Sequence, residues 1–168
     1  MIWVLRSWFS VLRLVRCEEL AEGRVKGKDA MTLSRTEIQN LLADWNLAWE
    51  RHDLEGVMQL FHEDVLFENW TGARIRGRDN LEKAWVSWFK NHGGFRFTEE
   101  DTFIDEAEQK VLYRWQLEWP SWESGFEGGH ELRRGVDVLH FKDGKIIKKL
   151  TYCKTTLEIE GQRIQLSG

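Results

Sequence analysis

At 168 residues, with 42% hydrophobic and 31% charged side chains, the chain has the size and composition of one globular domain with a substantial core. A net charge of −4 argues against nucleic acid as the main partner, and two cysteines far apart, Cys17 and Cys153, carry neither a disulfide framework nor metal or redox spacing. That cysteine usage suits a reducing, cytoplasmic setting. Ten tryptophans are unusual at this length, and most fall in periodic segments, which predicts a large aromatic interior or pocket.

Residues 1–30 stand apart. "MIWVLRSWFSVLRLVRC" is apolar, but Arg6, Arg13 and Arg16 interrupt it, so it is too short and too charged to span a bilayer. It also lacks the cleavage pattern of a signal peptide. We expect no stable membrane insertion and read these residues as an unstructured extension ahead of a domain starting at Met31. A cationic membrane-surface helix or a targeting peptide is the competing reading. The triplet Asn69-Trp70-Thr71 matches a glycosylation sequon, a pattern that also arises by chance.

Order is expected from Ser34. "SRTE" is a capping box, and Ile38, Leu41, Leu42, Trp45 and Trp49 then recur at helical spacing, predicting a helix over 35–51. Asp53 caps a second helix with Leu54, Val57, Met58 and Phe61 on one face and His62 at its end. A short strand, 65–70, follows, with Glu68 turned to solvent. After the turn-rich "TGARIRG", Asp79 is expected to cap a third helix that bears Leu81, Trp85, Trp88 and Phe89 and stops at Gly93-Gly94.

The period then changes from 3.6 to 2. Strands are predicted over 95–103, 110–119, 130–141 and 145–159, with a hairpin turn at Lys142-Asp143-Gly144-Lys145 and a short terminal strand ending at Leu166. Val111, Tyr113, Trp115, Leu117 and Trp119 share one face of their strand. Helices first and a meander of strands after them predict an α+β fold: helices packed on one face of a strongly curved antiparallel sheet. The basic clusters Arg74, Arg76, Arg78 and Lys145, Lys148, Lys149 read as solvated faces.

From Ser34 to about Leu166 the chain resembles the SnoaL-like branch of the nuclear-transport-factor-2-like superfamily. The resemblance rests on "WERHDLEGVMQLFHEDVLFENWTG", "GRDNLEKAWVSWF" and "RRGVDVLHFKDGKII". It implies a cone whose open end admits a small apolar, cyclic ligand, and a homodimer paired through the outer sheet face, here Val136 and Val138 between Arg134 and His140. Steroid isomerases of the superfamily use a helix tyrosine, a base aspartate and a protonated strand aspartic acid. Those positions fall on Trp45, Asn69 and Asp137, so one of the three matches. Asn69 takes no proton at neutral pH, and Trp45 offers only an indole N–H. Polyketide cyclases of the SnoaL type rely on one acid–base aspartate, a role open to Asp137.

The expected site is therefore Asp137 as the acid–base group, with Asn69, Trp45, Trp49, Trp85 and Trp115 around the ligand, and with no metal and no cofactor. His130-Glu131 lacks a second histidine at ligand spacing. Trp70 and Trp122 lie in loops near the expected mouth. Asp137 shares its face with Gly135, Leu139 and Phe141, so it must be protonated there or accept bonds from pocket donors. Arg133, about 13 Å along the strand, is too far away to pair with it directly. Two other readings use the same fold: a pocket that binds without turnover, and a cone filled by its own tryptophans in a dimerisation module.

Overall fold

Ser34 caps the first helix as the sequence requires. Its hydroxyl accepts from the backbone N–H of Glu37 at 3.3 Å, and the Glu37 carboxylate accepts from the Ser34 N–H at 2.7 Å. The computed structural model describes residues 31–91 and 93–165. The expectations for residues 1–30 and for Leu166 lie outside them.

Three helices, α1 (Arg35–Glu50), α2 (Leu54–Gln59) and α3 (Arg78–Lys90), are set against an eight-stranded sheet. The strands are β1 (Phe61–Glu68), β2 (Arg74–Arg76), β3 (Arg96–Asp105), β4 (Lys110–Pro120), β5 (His130–Lys142), β6 (Lys145–Cys153), β7 (Thr156–Ile159) and β8 (Gln162–Gln165). Their order is β2-β1-β6-β5-β4-β3, with β7 and β8 added beside the start of β5. The α+β architecture is the expected one. Neighbours run antiparallel except β1 and β6, which are parallel, so the sheet is mixed. No helix of the described residues is long and apolar enough to cross a membrane.

Several boundaries differ from the sequence reading, each for a local reason. Phe61 falls two helical turns beyond Leu54 and so resembles the next turn of α2, but it opens β1, and His62 is a strand residue. A register shift between Phe61 and Leu66 spaces the buried Phe61, Val65 and Phe67 unevenly and hides the period of 2. The cap of α3 is Gly77 at φ 82° without a side-chain bond, and Asp79 lies inside the first turn, where its charge suits the helix dipole. The strand expected over 145–159 breaks after Cys153, and its second part pairs with the start of β5. Glu68 is half-buried and pairs with Arg74.

The core lies between the helices and the concave sheet face. Ile38, Leu42, Trp45 and Trp49 come from α1, and Leu81, Trp85 and Phe89 from α3. They meet the inward row Val111, Tyr113, Trp115 and Leu117 of β4 and the inward Leu139 and Phe141 of β5. Gly135 of β5 lies directly across from Trp115. A methyl group there would collide with the Trp115 indole and with the carbonyl oxygen of Tyr152. Glycine is thus what lets a tryptophan lie flat against the curved sheet. Gly135→Ala is expected to lower stability by about 1–3 kcal/mol, as overpacking does. Urea unfolding checks this, and an unchanged midpoint would mean that the indole has room to move.

Candidate functional site

The concave face encloses a cavity of about 360 Å³. Trp49 is the hub of its aromatic wall. Its ring lies 5.4 Å from Trp45, 5.5 Å from Trp85, 5.7 Å from Trp88 and 5.1 Å from Phe97, mostly edge to face or tilted. Phe67 packs edge-on against Trp85 at 5.1 Å, and Phe97 against Trp115 at 5.5 Å. Such contacts brace one ring against another. Of the expected residues, Trp45, Trp49, Trp85, Trp115, Asn69 and Asp137 all line this one cavity. The indole N–H groups of Trp49, Trp115 and Trp119 are shielded and have no acceptor among the described residues.

One wall of the cavity is polar. Asp137 on β5 lies across from Tyr113 on β4 and from Thr151 on β6. Two residues before Thr151, on the same inward face, is Lys149. Asp137 is 3% exposed and Lys149 7%. The Lys149 Nζ lies 2.7 Å from Asp137 Oδ1 and donates to Thr151 Oγ1 at 2.7 Å, and Thr151 Oγ1 donates to the same Oδ1 at 2.7 Å. Asp137 Oδ2 makes no hydrogen bond among the described residues. Pocket donors are therefore what hold Asp137 on the apolar face. Burial pushes the Lys149 ammonium below the usual lysine range, and the adjacent carboxylate opposes that shift.

Lys149 corrects the expectation of a solvated lysine. In β6 one extra residue is inserted between the partners of Phe141 and His140, Ile146 and Lys148. Alternation counted from Ile146 would turn Lys148 and Leu150 inward; the bulge turns Lys149 and Thr151 inward instead. Only the pairing register could have revealed this.

Beside Asp137, the Tyr113 hydroxyl donates to Asn46 Oδ1 at 2.5 Å, and Asn46 Nδ2 donates to Glu99 at 2.8 Å. Burial first, then the charges of Glu99 and Asp137, hold the Tyr113 phenol well above its ordinary value, so it stays a donor. Asn69 is committed differently from what the resemblance implied. Its side-chain carbonyl accepts from Thr71 N, Thr71 Oγ1 and Ala73 N at 2.7–3.0 Å, closing a turn, so what it can offer a ligand is its amide NH₂.

At the other end of the cavity Arg133 is buried against Glu131, Nη2 to Oε1 at 2.7 Å, and also reaches Glu123 at 3.1 Å. Its guanidinium lies 5.0 Å from the centre of the Trp70 ring and 5.5 Å from that of Trp119. Glu131, fully buried, takes a further bond from Ser121 at 2.8 Å. This network ties the 121–129 loop and the Trp70 turn together. Trp122 stacks on Trp119 at 6.3 Å, and its ring is largely exposed. Among the described residues no three His, Cys, Asp or Glu side chains group as a metal site would require.

Residues 42–149 match the model of the SnoaL-like domain. The chain belongs to the SnoaL-like domain family. No functionally curated protein sequence matches it. Among solved structures, it resembles an NTF2-like protein of unknown function from Mesorhizobium loti at 24% identity and TM-score 0.57, over 74% of this chain and 99% of that one. It also resembles an LEH-like epoxide hydrolase from M. tuberculosis (19%, TM-score 0.58, 71% and 84% of the two chains). A third is a proposed polyketide cyclase from Xanthomonas campestris (19%, TM-score 0.56, 70% and 90%). At these identities the likeness is one of fold. The SnoaL-like cone hosts differently named activities in these neighbours, so chemistry must be argued from the cavity itself.

The buried pair makes a direct prediction. Asp137→Asn leaves the Lys149 ammonium without its counter-charge, and Lys149→Met leaves the Asp137 carboxylate alone; each is expected to cost about 3–5 kcal/mol. The double variant should regain most of that loss, because neither charge remains buried. Urea unfolding of the four proteins measures the coupling, and additive losses would mean the pair is not formed in solution.

Proposed function

We propose that this SnoaL-like protein binds a small apolar, cyclic ligand in the cone and that Asp137 moves a proton next to its enolisable carbonyl. The observation that carries the reading is a buried polar cluster in an aromatic cavity, where a carboxylate is anchored through Oδ1 while Oδ2 has no hydrogen bond among the described residues. A base fixed in this way has a defined direction for accepting a proton. Charge developing on the ligand oxygen needs a donor, and the Lys149 ammonium, with an N–H beyond its bonds to Asp137 and Thr151, is the candidate lining the same space. The tryptophan and phenylalanine faces suit a flat ring. The isomerase and cyclase chemistries implied by the family both begin with this proton transfer.

The test uses an aromatic cyclic ketone such as 2-tetralone. Quenching of tryptophan fluorescence reads binding, and NMR in heavy water reads exchange of the hydrogens beside the carbonyl. Wild type should bind and accelerate exchange, and Asp137→Asn should lose about 10²–10⁴-fold of that acceleration. Binding without exchange would leave a ligand-binding module of the same fold, and absence of binding across such ketones would remove the reading.

We further propose a homodimer formed through the convex sheet face. Phe103, Leu112, Val138 and Leu150 are direct cross-strand partners in one row over β3, β4, β5 and β6. Phe103 is 67% exposed and Leu112 44%, and Tyr152 in the next row is 51% exposed. The flanking rows pair Asp101 with Arg114 and Asp105 with Lys110, a rim of both signs that complements its own copy about a two-fold axis. Light scattering should give a dimer at tens of micromolar and a monomer for Leu112→Glu. A monomeric wild type, or a dimer indifferent to Leu112→Glu, would remove this arrangement.

A further inference from the structure

We infer that Lys149 is a covalent capture site, its amine condensing with an aldehyde or ketone held in the aromatic cavity to form a Schiff base. This inference rests on the ligand-binding reading of the same cavity. It goes beyond it in assigning a reacting nitrogen and a covalent step to the same cavity.

Three observations carry it. Among the described residues Lys149 is the one lysine lining the cavity and is almost wholly removed from solvent, whereas Lys142 and Lys154 of the neighbouring strand ends are exposed. Its Nζ lies 5.4 Å from the centre of the Phe67 ring, on the aromatic side of the cavity, so an apolar carbonyl compound seated there meets the nitrogen. Asp137 Oδ1 is 2.7 Å away and can hold the proton that the amine must lose. Desolvation, which lowers the lysine's proton affinity, is also what activates Schiff-base lysines.

The protons and electrons balance within the pair. The ammonium passes one proton to the Asp137 carboxylate, and the freed nitrogen lone pair attacks the carbonyl carbon while the C=O π electrons move to oxygen. A second proton moves from nitrogen to that oxygen, giving a carbinolamine. Asp137 then returns its proton to the hydroxyl, the C–O bond breaks and water leaves. The nitrogen lone pair forms the C=N bond. Ammonium and carbonyl have become iminium and water, and Asp137 is a carboxylate again.

The experiment treats the full chain with 2-naphthaldehyde and sodium cyanoborohydride near neutral pH and maps the reduced adducts by peptide mass spectrometry. Naphthaldehyde binding without reductant is read separately from tryptophan fluorescence. The expected result is one adduct per chain at Lys149, formed at least about tenfold faster than at Lys142 or Lys154, as a desolvated amine requires. Lys149→Arg, which keeps a cation beside Asp137 but has no amine to condense, should give no adduct above the surface lysines. Quenching with Lys149 unmodified overturns the covalent site and leaves the pocket reading intact. Absence of both quenching and adduct overturns the two together.

Discussion

The cavity is organised around the buried contact between Asp137 and Lys149. Taking a carboxylate and an ammonium out of water costs several kcal/mol per ion, and a pair of aliphatic side chains would fill the space at less cost. The contact is tolerable because three groups close a triangle at 2.7 Å on each side, with the Thr151 hydroxyl passing its proton to Asp137 and accepting one from Lys149. The triangle in turn requires Lys149 and Thr151 to face inward on β6, hence the extra residue near Ile147, hence the local register of β5 against β6. A one-residue change in strand pairing thus decides whether Asp137 meets a buried cation inside the cone.

Two buried cations mark the two ends of the cavity, and they are held differently. Both lie against aromatic faces, Lys149 on Phe67 and Arg133 on Trp70 and Trp119. Arg133 gives Nε and Nη2 to two carboxylates and sets its planar group against the rings, so it joins the 121–129 loop to the Trp70 turn. Lys149 has one carboxylate and one hydroxyl for three donors, which leaves an N–H unassigned. The same chemistry of cation and ring therefore gives a fastener at one end and a group free to meet a ligand at the other.

How much of this was legible in the sequence follows from how local each signal is. The capping box at Ser34, the helical spacing to Trp49, the alternation from Val111 to Trp119 and the hairpin at Asp143-Gly144 are contained within a few residues, and each element stands where the pattern placed it. The inward face of Asp137 followed from alternation alone. What failed depended on pairing between distant segments. The bulge in β6 reversed the side on which Lys149 was expected, and the irregular start of β1 made Phe61 read as helix. Asn69 lines the cavity, as expected, but shows another limit. Its position is the one a base would occupy, but its carbonyl is spent on the turn to Ala73, which a linear motif does not reveal.

The charges of the cavity sum in a way that bears on what it can hold. Asp137 and Lys149 cancel at the polar wall, and Arg133 with Glu131 cancels at the mouth, with Glu123 at the half-exposed edge adding a negative charge that solvent screens. A ligand with net charge would enter a space whose fixed charges are already matched, and its own desolvation would go uncompensated. A neutral molecule with one strong dipole meets no such penalty. Its rings replace water on the tryptophan and phenylalanine faces, and its dipole can align with the field between the Lys149 ammonium and the Asp137 carboxylate. A carbonyl group fits that field with its oxygen toward Lys149 and its carbon and neighbouring hydrogens toward Asp137 Oδ2. This is the orientation that proton abstraction requires, whereas attack by the lysine nitrogen needs the carbonyl carbon turned toward Nζ. The electrostatics of the resting pair thus select the class of molecule on which the pair is able to act.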